Sequence, residues 1–240
     1  MSFSRRIVFS LLLFPLLFCV SSCETVPDQQ PVKIKVSSLV VMPVDSLQEE
    51  LLVGGGEIHS VLVANLQKRG YRVLTPDAAG YRKLLDEALV VSGSVYDPAV
   101  SRFLPLNRDV FIKALVDSAA TNLGAELVLI PEVVLRTGDV AGDHVEWDGV
   151  ARELEFLQKP EQSYRLPPRA KGASLRVAAY TRNGAEVYLQ FGGISLPYRA
   201  RYRDKQLVLE PKVPPYTSKE MAEGVDTALL PFFRQIRKAE

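Results

Sequence analysis

Cysteine and histidine are scarce in this chain, at two residues each among 240, and tryptophan occurs once. Both cysteines, Cys19 and Cys23, stand near the front. The remainder therefore has no disulfide framework and no cysteine-based metal site. An excess of charge is missing too: 29 Lys and Arg face 28 Asp and Glu. That balance leaves no electrostatic footprint for nucleic acid. No apolar run reaches 18 residues, so a transmembrane helix is not expected. Internal repeats and low-complexity tracts are absent as well.

What the front does contain is a targeting pattern. Arg5 and Arg6 precede an apolar stretch, Ile7 to Val20, broken only by Ser10 and Pro15. The stretch is too short to cross roughly 30 Å of hydrocarbon as a helix, and its length suits the apolar region of a signal peptide. It ends in Val20-Ser21-Ser22-Cys23, which resembles the bacterial lipobox. Small residues let the signal peptidase approach the backbone, and only a thiol takes the diacylglycerol thioether. An ordinary signal peptide with a chance cysteine is the alternative. Position, flanks and the polar residues that follow all agree on the lipobox. Residues 1–22 are thus expected to be an export signal, cleaved between Ser22 and Cys23, with Cys23 lipidated. Residues 23–32 are then a short tether to the lipid bilayer and 33–240 one periplasmic domain. Removing 22 residues from 240 leaves 218, with 27 basic residues after Arg5 and Arg6 are lost. Two or more acyl chains give stable anchoring. The nine residues Glu24 to Val32 span at most about 30 Å, which holds the domain against its membrane. In enteric lipoproteins Asp after the lipidated cysteine retains the protein at the inner membrane, so Glu24 favours the outer one, at its periplasmic face.

Along the mature chain the pattern alternates between strand and helix. Leu39-Val40-Val41-Met42 reads as a central strand buried on both faces, ended by Pro43. Ile58, Val61, Leu62 and Leu66 have the spacing of an amphipathic helix, stopped by Gly70. Tyr71 to Leu74 is a short strand. Thr75-Pro76 predicts an N-cap and first turn for a second helix through Tyr81, Leu84, Leu85 and Ala88. A third helix is expected from a cap at Asn107, closing at Gly124, and then a strand from Glu126 to Leu135. Residues 137–172, rich in Gly, Asp, Pro and charge, read as an insertion. Asn183-Gly184 between two strand-like runs is a strong hairpin signal, and Tyr198 to Leu209 offers a further strand. Thr217-Ser218-Lys219-Glu220 reads as a capping box for a last helix with Met221, Val225, Phe232 and Ile236 inward. The order predicts an α/β fold, a two-layer sandwich of a mixed β-sheet with helices packed on it, plus a β-hairpin insertion.

These residues resemble a family of bacterial envelope lipoproteins. Leu39-Val40-Val41-Met42-Pro43-Val44-Asp45, Gly70-Tyr71-Arg72-Val73-Leu74 and Leu123 to Ile130 are similar to segments of the group containing the curli pore subunit CsgG, the peptidoglycan-synthase activator LpoB and the N-terminal domain of TolB. The hairpin Leu175 to Leu189 adds to the likeness. The resemblance covers most of 36–135 and 173–195 and implies the fold above, without fixing function. The expected role is that of a non-enzymatic protein-binding or assembly factor, acting on another envelope protein or by self-association. The alternative it raises is an oligomeric CsgG-like secretion channel, whose membrane hairpin would have to lie in 137–172. Only Val145 and Trp147 alternate cleanly there, whereas barrel strands need about ten alternating residues.

Catalytic and cofactor signals are thin. His144, Glu146 and Asp148 could share one strand face and offer a metal one imidazole and two carboxylates; a solvated polar edge accounts for them equally. Gly54-Gly55-Gly56 precedes a helix but lacks the lysine and spacing of phosphate loops. Ser92 and Ser94 flank Gly93 without the pattern of a nucleophile elbow. No cofactor, metal or small-molecule substrate is assigned, and the chain is not expected to be an enzyme. Apolar side chains in irregular segments are better candidates. Val95, Tyr96, Phe103 and Leu104 stand in a Gly- and Pro-punctuated loop and, with Trp147, are the candidate partner-binding residues. Closing over the domain's own core is the alternative for that loop. Arg165 to Arg169 reads as an extended recognition strip or a solvated linker.

Overall fold

Four apolar residues in succession, Leu39 to Met42, require cover on both sides of the strand they form, and the structure supplies it. The computed structural model describes residues 34–46, 48–97, 102–157, 166–203 and 206–238. The leader, Cys23, the tether and Arg165 lie outside the described residues. From Ile34 onward the chain is one compact unit. Its elements are β1 (Ile34–Val36), β2 (Ser38–Val41), α1 (Gly55–Lys68), β3 (Arg72–Leu74), α2 (Ala78–Ser92), β4 (Tyr96–Asp97), β5 (Arg102–Phe103) and α3 (Pro105–Leu123). There follow β6 (Leu127–Ala141), β7 (His144–Trp147), β8 (Val150–Glu153), β9 (Arg169–Thr181), β10 (Glu186–Ser195), β11 (Tyr198–Arg203), β12 (Gln206–Pro211), α4 (Ser218–Gln235) and β13 (Ile236–Lys238).

The central sheet runs β10-β9-β6-β2-β3. β2 is parallel to β3 and β6, and β6, β9 and β10 are antiparallel neighbours. Side chains alternate across it. Leu39, Val41, Leu127, Leu129, Leu175 and Val177 pack under α1 and α4. Val40, Met42, Val128, Ile130 and Ala178 pack under α2 and α3. The α/β class, the mixed sheet and the packed helices are as the sequence predicts. Helices cover both faces, so a second helical layer is added to the expected sandwich.

The helix ends show where local signals compete. Thr217 caps α4 with the full reciprocal box to Glu220, as the sequence predicts. α3 closes on Gly124 in the left-handed region, φ 68°, a conformation cheap only for glycine. Two starts differ from expectation. α2 is capped by Asp77, whose Oδ1 accepts from the Gly80 N–H at 2.7 Å, not by Thr75. α3 begins at Pro105 after Leu104, and Asn107 lies inside the first turn with its amide donating to the Ser94 carbonyl at 2.7 Å.

The 137–172 stretch is less an appendage than an extension of the sheet. β6 and β9 stay paired from Leu127↔Thr181 out to Asp139↔Arg169, and β7 and β8 add beyond that. A satellite core of Val145, Trp147, Leu154, Leu196, Tyr198 and Ala200 fills the space above them. Leu166 packs on that core. β11 and β12 form a hairpin where one further strand was expected.

Candidate functional site

The sheet face under α2 and α3 changes character at one level. Pro43 ends β2, and Pro131 of β6, which has no N–H to donate, stands close by. Asp45 bridges to β6 just beyond this break: its N–H donates to the Pro131 carbonyl at 3.3 Å, and the Val133 N–H donates to the Asp45 carbonyl at 2.7 Å. Asp45 is thereby paired with Glu132, and Glu132 with Arg176. A row of three charges, Asp45, Glu132 and Arg176, so replaces the aliphatic row of Met42, Ile130 and Ala178. Arg176 is largely buried and donates to Glu132 at 2.6 Å, with Glu186 at 3.8 Å. Burial works to lower its pKa, but the Glu132 carboxylate and the Tyr180 hydroxyl together outweigh this and hold it above the usual arginine value. Tyr81 of α2 shares this region. Its hydroxyl is pushed up to about 12, first by burial and then by the charges of Asp45 and Glu132.

The first turns of α3 overhang this row and leave a cleft of about 460 Å³. Val95, Phe111, Ile112 and Val134 make its apolar walls, and Arg108 is exposed at its mouth. A cleft with apolar walls and a few convergent polar groups has the makeup of a binding site.

Two of the loop residues singled out from the sequence, Val95 and Leu104, belong to this region. Tyr96 and Phe103 are register partners in the β4–β5 pair, and the Leu104 N–H donates to the Val95 carbonyl at 3.0 Å. Val95 lines the cleft and Leu104, half-buried, caps α3. Beside them lies an apolar patch that sequence reasoning missed. Val90 is 86 % exposed, Val91 66 % and Leu106 81 %, with Leu89 and Val110 also exposed. The signal was present: α3 carries Leu106 and Val110 on a face other than that of buried Leu115 and Ala119.

Trp147 is placed elsewhere. It is buried in the satellite core, its Nε1 donates to Ser174 Oγ at 3.0 Å, and Ser174 donates onward to Asp148 at 2.7 Å. Its indole is taken up by internal packing and is not offered to a partner. The expected face of His144, Glu146 and Asp148 does not form. His144 and Glu146 point to solvent from β7, whereas Asp148 lies in the turn beyond it, bonded to Arg136 at 3.0 Å. Among the described residues no group of three or more His, Cys, Asp or Glu is placed to hold a metal. Gly54 caps α1 and Gly55 and Gly56 enter its first turn, so the glycine loop is a helix start.

No protein-family model matches the chain, and no curated protein matches it either. Among solved structures it is similar to the crystal structure of lipoprotein GNA1162 from Neisseria meningitidis, at 15% identity and a TM-score of 0.33, over 66% of this chain and 81% of that one. The likeness is too slight to carry function from one chain to the other. The resemblance to CsgG, LpoB and the TolB N-terminal domain rests on sequence segments alone.

Proposed function

We propose that the protein is a lipid-anchored lipoprotein on the periplasmic face of the outer membrane that binds another envelope protein without catalysing a reaction. The observation that carries this reading is the coincidence, at one edge of the fold, of the α3 cleft and the exposed aliphatics Val90, Val91 and Leu106. Contiguous apolar side chains left in water mark interaction sites. The lipobox at Val20 to Cys23 supports the anchor, and no helix among the described residues is long and apolar enough to cross a membrane. The alternative secretion channel calls for strands of roughly nine to eleven residues. β7 and β8 have four each, and Val145 and Trp147 turn inward. A closed ring of copies after gentle detergent extraction would favour the channel over the adaptor.

A photo-crosslinking side chain at Val90 or Leu106 of the tagged, lipidated protein tests the binding role. A discrete protein adduct is expected at these positions and none from the exposed Lys83. Equal labelling at all three sites would remove the case for this surface. Cys23→Ser tests the anchor: the variant should leave the membrane fraction or stay unprocessed, and wild type should carry an acyl mass.

A further inference from the structure

Resting on the protein-binding reading above, we infer that the cleft under α3 takes a segment of the partner protein in which a lysine or arginine stands beside a bulky aliphatic residue. The charge arrangement specifies the cation. Asp45, beyond the end of β2, is paired with Glu132 of β6 through an isolated bridge, where like charges destabilise each other. Arg176 offsets only part of this. It is already engaged by Glu132 at 2.6 Å and approached by Glu186 at 3.8 Å, so two carboxylates share this largely buried guanidinium and neither contact involves Asp45. Each member of the pair keeps an acceptor in reserve. Asp45 uses Oδ1 for the Ser46 N–H and Glu132 uses Oε2 for Arg176, which leaves Asp45 Oδ2 and Glu132 Oε1 without a bond among the described residues. A cation seated between them relieves the repulsion and makes charge-assisted hydrogen bonds. Arg108 is the other cation of the lining; it is exposed at the mouth, where solvent screens it.

The walls specify the aliphatic neighbour. Val95, Phe111, Ile112 and Val134 offer no donor or acceptor side chain, and the volume of about 460 Å³ admits a few side chains and not a folded domain. Asp45 and Glu132 in the lining argue for a basic protein segment over the anionic headgroups of a bilayer. The chain enters the described fold at Ile34, before the start of β2, and the cleft lies past the other end of that strand, beyond Pro43.

The test is a selection of short random peptides displayed on phage against the tagged, detergent-solubilised full chain. Selected peptides are then synthesised and titrated by fluorescence anisotropy. Lysine or arginine next to Leu, Ile or Phe should be enriched. Asp45→Asn, at an exposed position, should weaken binding about tenfold with an unchanged melting midpoint. Ile112→Ser should weaken it independently, and added salt should weaken wild type more than Asp45→Asn. Acidic or wholly apolar peptides that still require Ile112 would overturn the cationic occupant and leave the protein-binding reading standing. Peptides indifferent to both substitutions, or no enrichment at all, would overturn the cleft as the site, while the crosslinks at Val90 and Leu106 decide the broader reading separately.

Discussion

Trp147 Nε1 donates to Ser174 Oγ at 3.0 Å from inside the satellite core, where three glycines also close on it. Gly138, Gly172 and Gly193 all approach the tryptophan, and a Cβ at residue 172 would run into the indole ring itself. Gly172→Ala is therefore expected to lower stability by about 1–3 kcal/mol, the usual cost of overpacking. Urea unfolding followed by the fluorescence of this single tryptophan and by circular dichroism measures it. Trp147→Phe frees space at the same spot, so the penalty should shrink in that background. Equal penalties in the two backgrounds would show that the glycine is needed for some other reason.

A second close approach holds α4 to the sheet. Gly192 of β10 meets Gly224 of α4 so tightly that a Cβ at 192 would strike the Gly224 carbonyl and the Ala228 amide. Both obstacles are backbone, which cannot swing aside. Tyr188 of β10 donates to the Ala228 carbonyl within the same contact. Gly192→Ala should thus cost at least about 3 kcal/mol, the upper end of overpacking, and pull Phe232 out of the core under α1. Gly56→Ala, where a Cβ meets nothing within 4 Å, is the matched control and should be neutral or slightly stabilising. Similar melting midpoints for the two variants would contradict the packing described.

Glu155 gives an acid-side prediction. Lys212 Nζ lies 2.5 Å from one of its oxygens and Arg199 Nε 3.0 Å from the other. The hydrogen bond from Lys212 holds its carboxyl below the ordinary value; partial burial opposes this and Arg199 adds to it. A depressed folded pKa contributes stability above the unfolded value, near 4.3, and that contribution disappears as pH falls through the folded one. The group is half exposed, so the effect is small. Glu155→Gln should lower the urea midpoint slightly at pH 7, and the gap to wild type should narrow below about pH 4.3. A gap that stays constant down to pH 3 would assign the effect to packing.

How much of this was legible beforehand depends on the range of the signal. β2, α1, β3 and the Asn183-Gly184 hairpin were readable because period and turn chemistry are local, and so was the Thr217 box. The extent of β6 and β9 was not, since the aliphatic run stops at Leu135 while backbone pairing continues to Asp139. The burial of Trp147 depends on Gly138, Gly172 and Gly193, dispersed over more than fifty positions. The site divides in the same way. Val95, Tyr96, Phe103 and Leu104 stand out in a Gly- and Pro-punctuated loop, whereas the row of Asp45, Glu132 and Arg176 exists only through the register of separate segments. No pattern within one segment announces it.

The start of α2 is a case where two local signals compete, and it can be decided. Thr75-Pro76 has the look of a cap and first turn, yet Asp77 two residues on does the capping. Its extended backbone, φ −71° and ψ 172°, turns Oδ1 onto the Gly80 N–H at 2.7 Å, and its own carbonyl accepts the first helical bond from Tyr81 at 2.8 Å. Carboxylate also suits the positive end of the helix better than a hydroxyl does. Asp77→Ala is therefore expected to cost about 1 kcal/mol, the usual worth of an N-cap, and Thr75→Ala less than about 0.5 kcal/mol. Calorimetric midpoints at pH 7 separate the two. The reverse order would move the helix start back to Thr75, and with it the placement of Tyr81 over Asp45 and Glu132.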